Sequence, residues 1–327
     1  MNSYNKQRSS YLDNLCGLLI IYVVFFYHLP DFCKIENTSV FICFRNILDY
    51  FMAWFFYKSG MFAIKRPFIE ELKIVLQRLI KPFFIINAIC IVLNILIDRG
   101  EGLAEHILVS IYRESNTLCI PLWFCLSLSI VRLLYQAIAI LTDNYKWLIL
   151  CLSVCVSYLL FLFTYRLIGL KETLLISIPF WFGNIFLGLF FYLLGYLLRT
   201  KHFNHVLFIV ALLIYSIHFF TPFYLDFYIN NSGNYFLSVL FYISGIIVFN
   251  NIFKRWLDVR IPILTYIGEN SMIYYVTHYT FLYLLLIGHS YRISGWPLYI
   301  VSFIITIFFL VCMDFLFRKK LGWVIGK

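Results

Sequence analysis

The sequence is poor in charge. Only 13% of its 327 residues are charged, against 62% hydrophobic, and the mean hydropathy is +0.86. A soluble domain carries about 25% charged and about 45–50% apolar residues, so this chain cannot shield its apolar surface from water. It lacks any polar stretch long enough to build a soluble domain, which leaves one integral-membrane unit over residues 1–327. No CxxC occurs among the nine cysteines, so neither metal nor dithiol chemistry is indicated. Most of the cysteines sit inside apolar runs, where a thiol behaves as a small hydrophobe. No A-x-A site follows the first apolar run, which therefore reads as a retained span. No internal repeat of the transporter kind is visible. The net charge is +10, but the basic residues lie in short loops between apolar runs. That is the pattern of loops facing anionic lipid, not nucleic acid.

What is present is a series of apolar runs. A helix needs about 20 apolar residues to cross roughly 30 Å of hydrocarbon. Ten stretches meet this, at about 12–30, 40–62, 82–98, 118–141, 146–165, 174–198, 204–222, 235–252, 264–288 and 296–317. The expected fold is all-α, a polytopic bundle of about ten transmembrane helices. With both termini placed in the cytoplasm, seventeen Lys and Arg fall on the cytoplasmic side and seven on the other. This asymmetry predicts both ends inside and an even number of spans. Lys58 and Arg132 fall within spans and stay out of the count.

Ionisable groups within spans cost about 2.5–3.5 kcal/mol at the helix centre for Arg, Lys or Asp, so each is a site candidate. His28 closes YLDNLCGLLIIYVVFFYH, about 24 Å along the helix from Leu12 and toward the outer half. An interfacial histidine bonded to a carbonyl or headgroup explains it equally well from position alone. His278 sits deeper, in GENSMIYYVTH. Ser271, Tyr274 and His278 follow at spacings of three and four and so share a helical face, which must point into the bundle. Asp49 has no neutralising neighbour in sequence, whereas Asp314 can pair with Arg318 four residues on. Lys58 can snorkel, and Ser59-Gly60 permits a kink or a close helix contact. In ELKIVLQRLIKPFF the bases Lys73, Arg78 and Lys81 recur among apolar residues. This reads as an amphipathic helix on the inner surface, suited to anionic lipid or to a polyphosphate ligand such as coenzyme A.

Taken in order, several pieces resemble the integral-membrane acyltransferase-3 family. They are YLDNLCG with its following His, FFYKSGMF, RLIKPFF, LWFCLSL around Trp123, FFYLLGYLLR and IGENSMIYYVTH. Together they run from end to end of the chain. The family moves acyl groups, usually acetyl, from cytoplasmic coenzyme A to sugars of surface polysaccharides or lipid-linked glycans. The resemblance implies that His28 is the general base or acyl relay, with His278 as its catalytic partner. An imidazole suits proton transfer at neutral pH. It further implies that Lys58, Ser59, Arg78 and Lys81 hold acetyl-CoA or another acyl-CoA as donor, with no metal. Asp13, Asp49, Trp123, Ser271 and Tyr274 are the implied substrate-binding residues. The implied partners are the lipid bilayer, the donor and a glycan acceptor, with no nucleic acid, in a bacterial inner membrane.

The chain departs from the family at one place. The family has Arg or Lys eleven residues before the His, which puts the two on nearly one face, about 16 Å apart. Here the aligned residue is Cys16 and the spacing is twelve, a difference of about 120° around a regular helix. A π-bulge would absorb the extra residue. Lys58, on the neighbouring span, would have to replace the charge, and Tyr27 occupies the regular His position. Two other readings stay open: a transporter or flippase of a glycan intermediate, and a catalytically weakened family member. The basic cytoplasmic cluster separates the first of these from an acyltransferase, because a thioester donor needs it and a flippase does not.

Overall fold

The computed structural model describes residues 9–98, 117–139, 145–168, 181–201, 204–218, 220, 225–226, 231–287 and 295–326. Within them the regular structure is helical, apart from a two-stranded ribbon pairing Leu225–Asp226 with Asn231–Ser232. The helices are α1 Ser10–Cys33, α2 Ser39–Met61, α3 Phe68–Ile97, α4 Leu118–Ala139, α5 Lys146–Phe163, α6 Asn184–Leu198, α7 His205–Ile217 and α8 Tyr235–Trp256. They continue with α9 Pro262–Glu269, α10 Ser271–Ile287 and α11 Trp296–Ile325. Seven of them, α1 to α5, α8 and α11, are long and apolar enough to cross a membrane. The start of the expected span 174–198 lies outside the described residues, as do Lys6, Arg8, Arg99, Arg113, Lys171, Arg292 and Lys327 of the charge count.

Three expected boundaries differ. The span expected at 82–98 begins at Phe68, because the basic amphipathic segment runs into it as one helix. Pro82 removes a backbone donor. The chain accommodates this by widening to a π-turn over Leu76–Ile80 and restarting as α-helix at Lys81. The span expected at 264–288 is two helices. Asn270 leaves the helical path, and its Nδ2 donates to the Tyr266 carbonyl at 3.0 Å, which satisfies the end of α9 before α10 begins at Ser271. The first span extends to Cys33 and widens to a π-turn over Tyr22–His28.

Helices α1, α2, α4 and α8 are the inner ones, while α3, α5 and α11 show long apolar outer faces. Phe84, Leu96, Leu159, Ile304 and Phe308 on those faces are exposed, surface that only hydrocarbon can cover. Within a bilayer, helix association relies on close packing, which small residues permit. Two reciprocal glycine contacts achieve it here. Gly60 of α2 faces the Tyr192 backbone of α6, and Gly195 of α6 faces the Tyr57 backbone of α2. Likewise Gly17 of α1 faces the Leu264 backbone of α9, and Gly268 of α9 faces Asp13 of α1. Asn14 joins the second pair: its Nδ2 donates to the carbonyls of Leu257 (2.8 Å) and Val259 (2.7 Å), and its Oδ1 accepts from Thr265 at 2.6 Å.

Candidate active site

The π-turn in α1 sets the position of His28. It absorbs the extra residue of the twelve-residue spacing, so that Cys16 and His28 both turn inward. The Phe25 carbonyl in the widened turn accepts a hydrogen bond from the Tyr299 hydroxyl of α11 at 2.9 Å. Such a partner is needed where the regular ladder is broken. Tyr27 turns elsewhere: its ring packs on Phe51 and carries the Arg45 guanidinium at 5.1 Å. Arg45 is in turn paired with Asp31.

His28 is half-buried and meets α10. Its ring centroid lies 5.2 Å from that of His278 and 5.0 Å from that of Tyr279. His278 is fully buried. Its Nδ1 lies 3.0 Å from the Tyr274 carbonyl oxygen. A carbonyl only accepts, so Nδ1 carries the proton and the neutral ring presents a lone pair at Nε2. That buried Nε2 has no hydrogen-bond partner among the described residues. A fixed tautomer with an open acceptor nitrogen is the arrangement a general base requires.

On the side of the bundle where α1 begins, a cavity of about 440 Å³ opens among α1, α2, α3, α4, α6 and α10. Cys16, Lys58, Ser59, Arg78 and Ser271 line it, so the structure brings five residues singled out in the sequence into one space. It adds Arg66, Arg132 and Glu71, to which the sequence reading assigned no role. Glu71 is buried and holds both arginines: Arg66 Nη1 to Oε2 at 3.2 Å, and Arg132 Nε to Oε1 at 2.7 Å. Arg132 did carry a cue, being an arginine inside an apolar run. The loop after α2 is strapped down by Gln136, which accepts from the Arg66 N–H (3.1 Å) and donates to the Ile64 carbonyl (2.8 Å). Lys58 Nζ stands 3.7 Å from Asp13 Oδ1, so it occupies the neighbourhood from which a basic residue at Cys16 is missing.

Four cations against one lining carboxylate suit a polyphosphate, because charge-assisted and bidentate bonds are the strong ones. The volume falls within the roughly 300–1,000 Å³ of small-molecule sites. Phe55 and Phe124 also line this cavity. Tyr275 packs on both at 6.4 and 5.6 Å, and its ring lies 6.1 Å from that of His278. Three aromatic rings thus separate the cationic cavity from the histidine pair.

Other sequence candidates fall outside this arrangement. Lys81 stands over the Trp323 ring at 4.7 Å and does not line the cavity, because the π-turn before it rotates it toward the C-terminal turn. Ser271, Tyr274 and His278 do not line one surface as the spacing suggested. Ser271 lines the cavity, His278 meets His28, and the Tyr274 side chain turns to Asp314 on α11 and acts on His278 through its carbonyl. Asp314 pairs with Arg318 at 3.0 Å as the spacing indicated, and also accepts from Tyr266. Asp49 accepts from the Tyr242 hydroxyl at 2.7 Å, at a break in α2. Trp123 is buried at the start of α4 beside Phe124.

Comparison with curated proteins and with solved structures returns no significant match. Comparison with family models matches the acyltransferase 3 model, described as an acyltransferase domain, over residues 9–315. That match takes in the histidine pair, the cationic cavity and nearly the whole chain. The chain belongs to the acyltransferase-3 family, whose members are membrane acyltransferases.

Proposed function

We propose that this protein is an O-acyltransferase that moves an acyl group, acetyl in the first instance, from acyl-CoA to a sugar hydroxyl of a surface polysaccharide or lipid-linked glycan. In this reading it sits in a bacterial inner membrane with ten spans and both termini cytoplasmic. The observation that carries the proposal is the histidine pair: two imidazoles 5.2 Å apart, one with its tautomer fixed so that Nε2 is an open acceptor.

The donor supplies an acyl carbonyl activated as a thioester. Lys58, Arg66, Arg78 and Arg132 hold its phosphates, and Ser59 and Ser271 lie along its path. His28 takes the proton of the acceptor hydroxyl as the hydroxyl oxygen bonds to the acyl carbon and the carbon–sulfur bond breaks. The proton then passes to the departing thiolate, which leaves the imidazole neutral. His278 stands behind His28 and stabilises the transient imidazolium through its Nε2 lone pair. The cation cluster favours a thioester donor over transport of a glycan intermediate, which needs no such cluster. Asp13 faces Lys58 on the donor side, which leaves Asp49 with Tyr242, and Trp123, as acceptor-side groups.

Mass spectrometry of surface glycans from cells with and without this chain tests the reaction. Acyl groups that depend on the chain support it, and unchanged acylation overturns it. Transfer from labelled acetyl-CoA by the purified protein, compared with longer acyl-CoA donors, identifies the acyl group.

A further inference from the structure

A second cavity, of about 310 Å³, lies on the opposite side of the C-terminal end of α2, between that end, the start of α1 and the C-terminal ends of α6 and α8. Buried Tyr57 and Asn250 form part of its wall, and Arg199, Lys201, Lys254 and Arg255 surround it. No Asp or Glu lines it. Its charges differ from the ion pairs seen elsewhere among the described residues. Arg66 and Arg132 share Glu71, Lys58 faces Asp13, Arg45 pairs with Asp31 and Arg318 with Asp314. None of the four cations here pairs with a carboxylate among the described residues. The nearest acid in sequence, Asp258, accepts the Tyr11 backbone N–H at 3.0 Å. Carbonyls at the helix ends draw cations, and two at each of the two helix ends account for the number; they do not account for a hollow that all four line with no carboxylate among its walls. Repulsion within such a cluster is relieved by an anion.

We infer that this cavity is a second, separate binding site for a phosphate-bearing anion. Arg199 is braced for the task. Its Nη1 donates to the Ala63 carbonyl at 2.7 Å and its guanidinium lies over the Tyr196 ring at 4.2 Å, leaving other N–H groups of the fork toward the hollow. Lys201, Lys254 and Arg255 are exposed and supply the remaining donors. The phosphate belongs either to a soluble polyphosphate or to the headgroup of an anionic phospholipid.

The test compares the full chain with a variant carrying Lys201→Gln, Lys254→Gln and Arg255→Gln, which spares the braced Arg199. Both are purified in a neutral detergent, and circular dichroism and gel filtration check folding. If the triple variant misfolds, Lys254→Gln alone takes its place. One arm titrates inorganic pyrophosphate by calorimetry. The other measures retention of phosphatidylglycerol against phosphatidylcholine from mixed nanodiscs. Saturable pyrophosphate binding, weakened about tenfold or more in the variant, assigns a soluble phosphate ligand, since one lost charge-assisted hydrogen bond has about that effect. Selective phosphatidylglycerol retention without pyrophosphate binding, lost in the variant, assigns the headgroup. Equal behaviour of wild type and folded variant toward both probes overturns the site. Donor transfer activity plays no part in either arm, so the outcome is independent of the proposed reaction.

Discussion

The imidazole of His28 lies 5.2 Å from that of His278, centroid to centroid and inclined by 36°, joining the first span to α10. The Tyr274 carbonyl fixes the His278 tautomer, so the pair presents a lone pair on one ring to the neighbourhood of the other. Loss of either ring therefore affects transfer in its own way.

His28→Ala abolishes acyl transfer while the protein stays abundant in the membrane, since loss of a general base costs about 10²–10⁴-fold. His278→Gln lowers kcat with little change in donor KM. The double variant is hardly slower than His28→Ala, because residues that act as a unit are not additive. Transfer of labelled acetyl groups measures all three. Wild-type rates for His28→Ala make the histidine an interfacial anchor.

Arg78→Ala and Lys58→Gln raise the donor KM, because both groups line the cationic cavity. Lys81→Ala leaves it nearly unchanged, because that ammonium is engaged with Trp323 outside the cavity. Steady-state kinetics with varied acyl-CoA separate the three. A KM increase for Lys81→Ala equal to that for Arg78→Ala contradicts the placement.

Glu71→Gln strands two arginines. Breaking a buried ion pair by removing one partner costs about 3–5 kcal/mol, and the cost here lies toward the lower end because Arg66 and Arg132 are each partly exposed. The expected outcome is a lower thermal midpoint in detergent together with weaker donor binding.

Gly60→Ala and Gly195→Ala each place a methyl against a backbone that cannot yield. Overpacking of this kind costs about 1–3 kcal/mol. Both variants show a lowered thermal midpoint, and Gly60→Ala also lowers activity because it displaces Lys58 and Ser59. A full-activity Gly60→Ala protein with a wild-type midpoint removes the close contact from the account.

Reporter fusions at the two ends report the same side of the membrane, as the seventeen-to-seven asymmetry of Lys and Arg requires. Opposite sides demand an odd number of spans.

The sequence alone carried the composition, the apolar runs and the order of the motifs, and from these the membrane class, the helical fold and the family followed. These properties depend on residue type and local spacing, which the chain states directly. It also carried the twelve-residue spacing from Cys16 to His28, which a widened turn can absorb, and Tyr22–His28 is such a turn. Only the tertiary structure decided which residues meet. The encounter of His28 with His278 depends on α1 packing against α10, and no local pattern encodes that contact. The gathering of Arg66 and Arg132 on Glu71 depends on α3 running unbroken alongside α4, whereas the sequence suggested a surface helix and a separate span. Lys81 separates from Arg78 for a related reason: a π-turn of five residues rotates the helix by an amount that a regular period does not anticipate. Such rotations and long-range contacts are set by how helices dock through glycine faces and buried polar links such as Asn14, and docking is a property of surfaces that exist only once the chain has folded.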